Sequence, residues 1–362
     1  MKIVEIINSL QHRGGAEVFA SSLASAFQSQ PEKHEIVFVS LFDKTDDSFF
    51  SLFKEKAISF FTCNKKRGFD LLAAKKLKKI LKQIKPDIVH FHLSCLPTYF
   101  LAFGFSKQSW KLVQTFHTIP GKDVGGSTRL LRELYIKKKL IHFVGITDEI
   151  TRIAVQTYPA ISCHTIYNGI SLPLKSDINP DYENREYDFV IIASLTPVKN
   201  HMLLFKSIKE LRLSYPKIKL LCVGGGPLFY EYSSFINDNN LKQNIILNGP
   251  AVNIAEMLNK SKCFVLSSTR EGNPISILEA MSFGLPIIAP CIGGIPDVVK
   301  NKSGILFEAN NLDELKRAMV YALENNEIMY EVGLHNLSIS CDFSIERCAS
   351  EYLIFFKELF NL

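Results

Sequence analysis

A chain of 362 residues is too long for one ordinary core and suits two domains. With 47% hydrophobic and 22% charged residues it reads as a soluble globular protein. No apolar run reaches the roughly 20 residues needed to span a bilayer. Residues 1–7, interrupted by Glu5, read as a first strand and not as a signal peptide. The net charge of +6 is uneven, with 25 basic and 15 acidic residues in positions 1–180 against 17 and 21 in the remainder. A basic N-terminal half suits an anionic partner, such as a phospholipid surface or a lipid-phosphate acceptor. Eight cysteines are scattered without a C-x-x-C pair, the pattern of reduced thiols in a cytosolic protein.

Short apolar runs alternate with helical segments, which predicts an α/β fold with parallel sheets. Strands are predicted at 3–7, 35–41, 58–61, 88–92, 111–117, 142–147 and 163–167. Helices are predicted at 16–28, 70–84 and within 124–140. Loops 43–69 and 94–110 carry no signature. Residues 171–187 are rich in Pro, Asp and Asn and read as a linker. A second series follows, with strands at 189–193, 219–223, 245–248, 263–266, 287–289 and 304–307. Its helices fall at 201–215, 228–237, 254–258 and 312–324. The tail, 344–360, reads as an amphipathic helix. The predicted domains are 1–175, 176–343 and a C-terminal helix over 344–362. Helix 70–84 carries Lys75, Lys76, Lys78, Lys79 and Lys82. A solvated helix face and an electrostatic membrane contact both fit it, whereas no aromatic interleaving points to nucleic acid.

The most informative stretch is Glu271-Gly272-Asn273-Pro274-Ile275-Ser276-Ile277-Leu278-Glu279, which follows an apolar strand. Asn273 is placed to cap a helix and Pro274 to occupy its first position. The free N–H groups of such a terminus attract phosphate. An ordinary strand–helix unit with two solvated glutamates would read the same way. Other segments sit at predicted strand ends. Gly14-Gly15 lies between the first strand and helix, after Gln11-His12-Arg13. Ser194-Leu195-Thr196-Pro197-Val198-Lys199-Asn200 follows strand 189–193. Val223-Gly224-Gly225-Gly226-Pro227 fails as a dinucleotide fingerprint, because Phe229 stands where the third glycine belongs. That weakens a nicotinamide-dependent oxidoreductase. Asn248-Gly249-Pro250 ends another strand, and Thr115-Phe116-His117-Thr118 closes strand 111–117. His90 and His92 share one strand face, but no third metal ligand stands nearby in sequence, so a structural role is expected and no metal site.

In this order the segments resemble the retaining family 4 glycosyltransferases of the GT-B fold, in which two Rossmann-like, doubly wound parallel-sheet domains face a cleft. The E-x7-E element is matched by Glu271 and Glu279. The R-G-G-A-E loop is matched by residues 13–17, and the family's V-G-x-G-P, T-x-H and A-x-x-x-G-G-x-P-[DE] elements have counterparts. The resemblance implies a hexosyltransferase that moves sugar from a nucleotide-diphosphate donor, most commonly a UDP-sugar, with retention and without an essential metal or cofactor. No D-x-D metal motif is present. It assigns Glu271, His117 and Lys199 to catalysis. It assigns Gly14, Gly15, Ser194, Gly224, Gly226, Asn248, Gly249, Arg270, Gly272, Asn273, Pro274, Ile275 and Glu279 to donor binding. Its implied acceptor is a glycan or a lipid-linked glycan, as in surface polysaccharide or lipopolysaccharide biosynthesis, on the N-terminal domain. The implied location is the cytoplasm or the inner face of the membrane. The family's usual G-R-L-x-x-x-K-[GN] reads here with Ala193 and Ser194, so the phosphate arginine is missing and Arg270 is the candidate replacement. That departure leaves a non-catalytic sugar-nucleotide-binding scaffold as the alternative.

Overall fold

The computed structural model describes all residues except 12, 13, 44, 122, 123, 252, 301 and 362, together with the side chain of residue 361. The chain divides into two compact units, Met1–Ser171 with Phe343–Leu362, and Leu172–Asp342.

The first unit contains strands β1 (Lys2–Ile7), β2 (Glu35–Ser40), β3 (Ser59–Thr62), β4 (Ile88–His92), β5 (Lys111–Phe116), β6 (His142–Gly145) and β7 (Cys163–Thr165). Its helices are α1 (Gly15–Gln28), α2 (Asp47–Glu55), α3 (Leu71–Ile84), α4 (Leu96–Phe103), α5 (Gly126–Lys137) and α6 (Asp148–Thr157). The strands form one parallel sheet in the order β3-β2-β1-β4-β5-β6-β7. Strands β1 and β4 are buried along nearly their whole length, as a parallel sheet covered by helices requires. The order reverses between β1 and β4, and a doubly wound sheet opens its ligand crevice at such a point, past the strand C-termini.

The second unit contains strands β8 (Tyr187–Ile192), β9 (Leu220–Val223), β10 (Ile245–Gly249), β11 (Ser261–Val265), β12 (Ile287–Pro290) and β13 (Gly304–Phe307). Its helices are α7 (His201–Leu211), α8 (Phe229–Asp238), α9 (Ile254–Asn259), α10 (Ile275–Ser282), α11 (Ile295–Val298), α12 (Leu312–Glu324) and α13 (Asn326–Ile339). Its sheet is also parallel, in the order β10-β9-β8-β11-β12-β13, with the reversal between β8 and β11.

The tail helix α14 (Ile345–Asn361) belongs to the first unit. Tyr352 and Phe356 meet Phe27 of α1, and the Lys357 ammonium pairs with Glu32 at 2.8 Å.

Three expectations change. The segments expected to be loops, 43–69 and 94–110, contain α2 and α4. The Leu96–Phe103 sequence is apolar on nearly every side, so it shows no helical period, and it packs its buried residues into the core of the first unit. Helices α6, α11 and α13 have no counterpart among the predicted elements. Helix α7 stops at Leu211, short of 215.

Candidate active site

In the second unit, residues past the ends of β8 and β11 meet across the reversal point. After β8 the chain makes a 3-10 turn at Pro197–Lys199, and Asn200 then takes a left-handed conformation, φ 47 and ψ 45. Only Gly, or a residue such as Asn, adopts that geometry cheaply, which accounts for Asn after Lys199. After β11 the chain is tied to this turn. Thr269 donates its backbone N–H to the Val198 carbonyl at 2.8 Å, and the Ser267 hydroxyl donates to the Lys199 carbonyl at 3.0 Å. The result is a Lys199 Nζ to Glu271 Oε1 contact of 2.6 Å between residues 72 apart. The side chains are 24% and 9% exposed, so the pair is sheltered but reachable.

Glu271 then leads through the buried Gly272, Asn273 and Pro274 into α10. The expected Asn273 cap with Pro274 as first helical residue is corrected: Pro274 is the cap residue, its side chain makes no capping bond, and Ile275 begins the helix. The first amides of a helix lack the usual acceptor four residues back; Ile277 donates to the Pro274 carbonyl at 3.0 Å, and Pro274 has no polar side chain to cap the amides of Ile275 and Ser276. Glu279 lies in the second turn of α10, half-buried. The loop 291–294 closes on this stretch. The Gly294 N–H donates to the Gly272 carbonyl at 2.8 Å, and a Cβ on Gly293 would stand 2.0 Å from the Glu271 carbonyl oxygen.

The glycine loop after β9 packs on the loop after β8. Gly224 has φ +148, and a Cβ there would fall 2.0 Å from the Ala193 carbonyl oxygen. At Gly226 the Leu195 carbonyl oxygen lies 2.5 Å from the same construction. Both glycines therefore have an internal reason to be glycine, namely backbone against backbone at the strand ends. Gly249 accepts from the Gly224 N–H at 2.9 Å, while Asn248 is exposed. Ser194 is exposed, its hydroxyl 3.4 Å from that of Thr196. Arg270 is exposed and makes no ion pair among the described residues.

In the first unit, Gly14 is the cap residue of α1 and Gly15 its first residue. A Cβ on Gly14 would collide with the Glu17 carboxylate, so the space beside it is filled from within the helix. His12 and Arg13 lie outside the described residues. His117 follows β5 directly and is half-buried, with the Phe19 ring of α1 edge-on at 5.5 Å.

Behind His117 lies a cluster that the sequence reading missed. Register places Glu5 of β1 beside His90 of β4. The Glu5 carboxylate lies 3.0 Å from His90 Nδ1 and 2.5 Å from His92 Nε2, with all three side chains fully buried. His92 Nδ1 is 2.9 Å from His117 Nε2. On the other side, His90 Nε2 meets the Thr115 hydroxyl at 2.8 Å, which meets the Tyr352 hydroxyl at 2.8 Å. Burial pushes the Glu5 carboxyl upward, but His90 and His92 together outweigh it and hold it at about 2. Burial, then His90, pushes His92 down to about 4. Burial, His92 and His90 hold His117 well below the usual imidazole range.

The expectation that His90 and His92 lack a third metal-ligand neighbour is thus corrected. Glu5 supplies one, the donor atoms lying within 4.8 Å of one another. These atoms are joined directly, however. Donors around a tetrahedral ion stand roughly 3.3 Å apart, and the 2.5 Å contact from Glu5 to His92 is a hydrogen bond. An acidic residue in the middle of a buried strand was the available signal, since such a group must find partners.

Two doubly wound parallel units, each with functional-group loops at its reversal point, define the GT-B class of architecture. HepE of Anabaena in complex with UDP has this fold with a TM-score of 0.79 at 17% identity, over 99% of this chain and 100% of that one. The model for glycosyl transferases group 1 matches residues 177–333, and that for glycosyltransferase family 4 matches residues 13–173. The chain belongs to the family 4 glycosyltransferases and is a glycosyl-transferring enzyme. Among its relatives, N-acetyl-alpha-D-glucosaminyl L-malate synthase of Bacillus anthracis is 24% identical, over 78% of each chain. The UDP-Gal:alpha-D-GlcNAc-diphosphoundecaprenol alpha-1,3-galactosyltransferase of Escherichia coli is 29% identical, over 69% of this chain and 70% of that one.

Proposed function

We propose that this enzyme transfers a hexose from a UDP-sugar to a glycan or lipid-linked glycan acceptor, retaining the anomeric configuration and needing neither metal nor cofactor. The observation that carries the reading is the Lys199–Glu271 pair at the reversal point, leading into the N-terminus of α10. Cleavage of a sugar–phosphate bond loads negative charge onto the leaving diphosphate. Lys199 and the first amides of α10 are the preorganised positive groups that would take it up, so the charge is met without a metal ion. Arg270, exposed and without an ion pair among the described residues, is the candidate for the missing phosphate arginine. Glu271 is assigned to the donor sugar, Glu279 to the ribose hydroxyls and His117 to a sugar hydroxyl. The loops at Gly224, Gly226, Asn248 and Gly249 are assigned to the nucleotide.

The UDP choice is supported by the ligand of HepE and by the donor in the name of the E. coli relative. The lipid-linked acceptor is supported by that same name and by a surface feature of the first unit. Phe69, Leu71 and Leu72 are 74%, 52% and 75% exposed at the start of α3. Lys75, Lys76, Lys78, Lys79 and Lys82 stand exposed along the same helix. Apolar anchors beside a lysine face suit an anionic lipid surface, at about 1 kcal/mol for each lysine near it. The proposed location is the inner face of the cell membrane. No helix among the described residues is long and apolar enough to cross one.

The test is a calorimetric screen of nucleotide sugars, followed by turnover with lipid-linked acceptors and determination of the product's anomeric configuration. Binding and turnover of a UDP-sugar with retained configuration are expected. An inverted product, or binding of nucleotide sugar with no turnover on any acceptor tried, would overturn the proposal.

A further inference from the structure

The carboxylate and rings behind His117 settle where its protons lie. Glu5, ionised, can only accept. The contact from His92 Nε2 must therefore be an N–H donated to Glu5. A neutral His92 with its proton on Nε2 has a lone pair on Nδ1. That lone pair faces His117 Nε2 at 2.9 Å, so His117 donates from Nε2. His117, also neutral, is left with a lone pair on Nδ1, and Nδ1 forms no hydrogen bond among the described residues. His90, donating from Nδ1 to Glu5, closes the other side of the carboxylate.

We propose that Glu5, acting through His92, fixes the tautomer of His117 so that its Nδ1 presents a lone pair to a ligand hydroxyl. Glu5 and His92 are then positioning residues of the transfer reaction. A buried carboxylate is costly, and apolar side chains at these positions would pack the sheet with less penalty. A need to orient a half-buried imidazole accounts for its presence. The series works like the outer partner of a ligating histidine, which sets tautomer and ring orientation. The proposal rests on the assignment of His117 to a sugar hydroxyl. No proton needs to leave the chain, because a hydroxyl donating to Nδ1 keeps its own proton.

Two measurements test it. The first needs no donor. With 15N-histidine labelling, His117 assigned through His117→Gln should show a protonated Nε2 and an unprotonated Nδ1 at pH 7.5. Glu5→Gln should mix the two tautomers. A wild-type His117 protonated on Nδ1 overturns the proposal, whether or not sugar transfer is observed. The second compares two replacements of His92. His92→Phe keeps ring volume but offers no acceptor, and turnover should fall by roughly ten- to a hundredfold, the scale for lost orienting partners. The donor KM should stay within about twofold, since nucleotide contacts are untouched. His92→Asn keeps an acceptor near the position of Nδ1 and should recover most of the loss. Equal turnover in wild type and His92→Phe, or no recovery in a folded His92→Asn, overturns it.

Discussion

The two sheets reverse at equivalent places, β1 beside β4 and β8 beside β11, and a contact between a glutamate carboxylate and a side-chain nitrogen crosses each reversal. In the first unit the contact lies within the strands. Glu5 and its two histidines are wholly buried, and register fixes the partners. In the second unit it lies past the strand ends, between loops, and Lys199 keeps 24% exposure. A buried group reaches a ligand only through another residue, as Glu5 reaches through His92 to His117. A group on a strand-end loop can meet a ligand itself. The same topology thus offers both a support and a contact.

The largest effect should follow from removing the open pair. Lys199→Ala and Glu271→Ala are each expected to lower turnover by about a hundredfold or more, the scale of lost electrostatic groups at a developing charge. Steady-state kinetics on the full chain would check it, and near wild-type transfer by both would remove the second unit's pair from the chemistry.

A pH effect comes next. His201 of α7 is fully buried, and neither ring nitrogen has a hydrogen-bond partner among the described residues. Burial, with Lys199 beside it, pushes its pKa from the reference 6.5 to about 4. Below pH 6.5 the unfolded chain binds a proton that the folded ring refuses, so stability falls as pH drops from about 6.5 to about 4. The shift corresponds to about 3 kcal/mol by the acid end. His201→Phe should flatten this limb in denaturant unfolding at pH 4.5 to 7.5, and an unchanged slope would show that the ring does not contribute.

Gly224→Ala should cost about 2 kcal/mol. Its φ of +148 and the Ala193 carbonyl oxygen, 2.0 Å from the added methyl, both oppose it. The loss appears as a lower denaturation midpoint, whereas Gly249→Ala, also at positive φ but with open space around it, should lose less. The smallest effect is at Arg270. An exposed cation is worth about 1 kcal/mol or less, so Arg270→Ala should weaken UDP binding by about fivefold at most. Ser194→Arg, which restores the family's cation, should reverse that loss.

Much of the fold was legible because buried parallel strands read as short apolar runs. Ile88–His92 and Gly304–Phe307 emerged with the predicted bounds. Leu96–Phe103 was not legible because it has no polar face to set a period, whereas α6 was missed although most of its residues are polar or exposed. Along the second unit, motif order brought Lys199 and Glu271 into one set even though 72 residues separate them. The first unit's cluster escaped because its partners are joined by strand order. Glu5 and His90 are 85 residues apart and become neighbours only when β4 is laid against β1. Spacing within β4 showed the two histidines on one face, but not what faced them.

The contrast between a contact and a support is tested most directly by calorimetric titration of UDP into wild-type protein, Lys199→Ala and His92→Phe. The account predicts UDP affinity at least about tenfold weaker in Lys199→Ala and within about twofold of wild type in His92→Phe. Wild-type UDP affinity in Lys199→Ala, with a loss in His92→Phe, would contradict it.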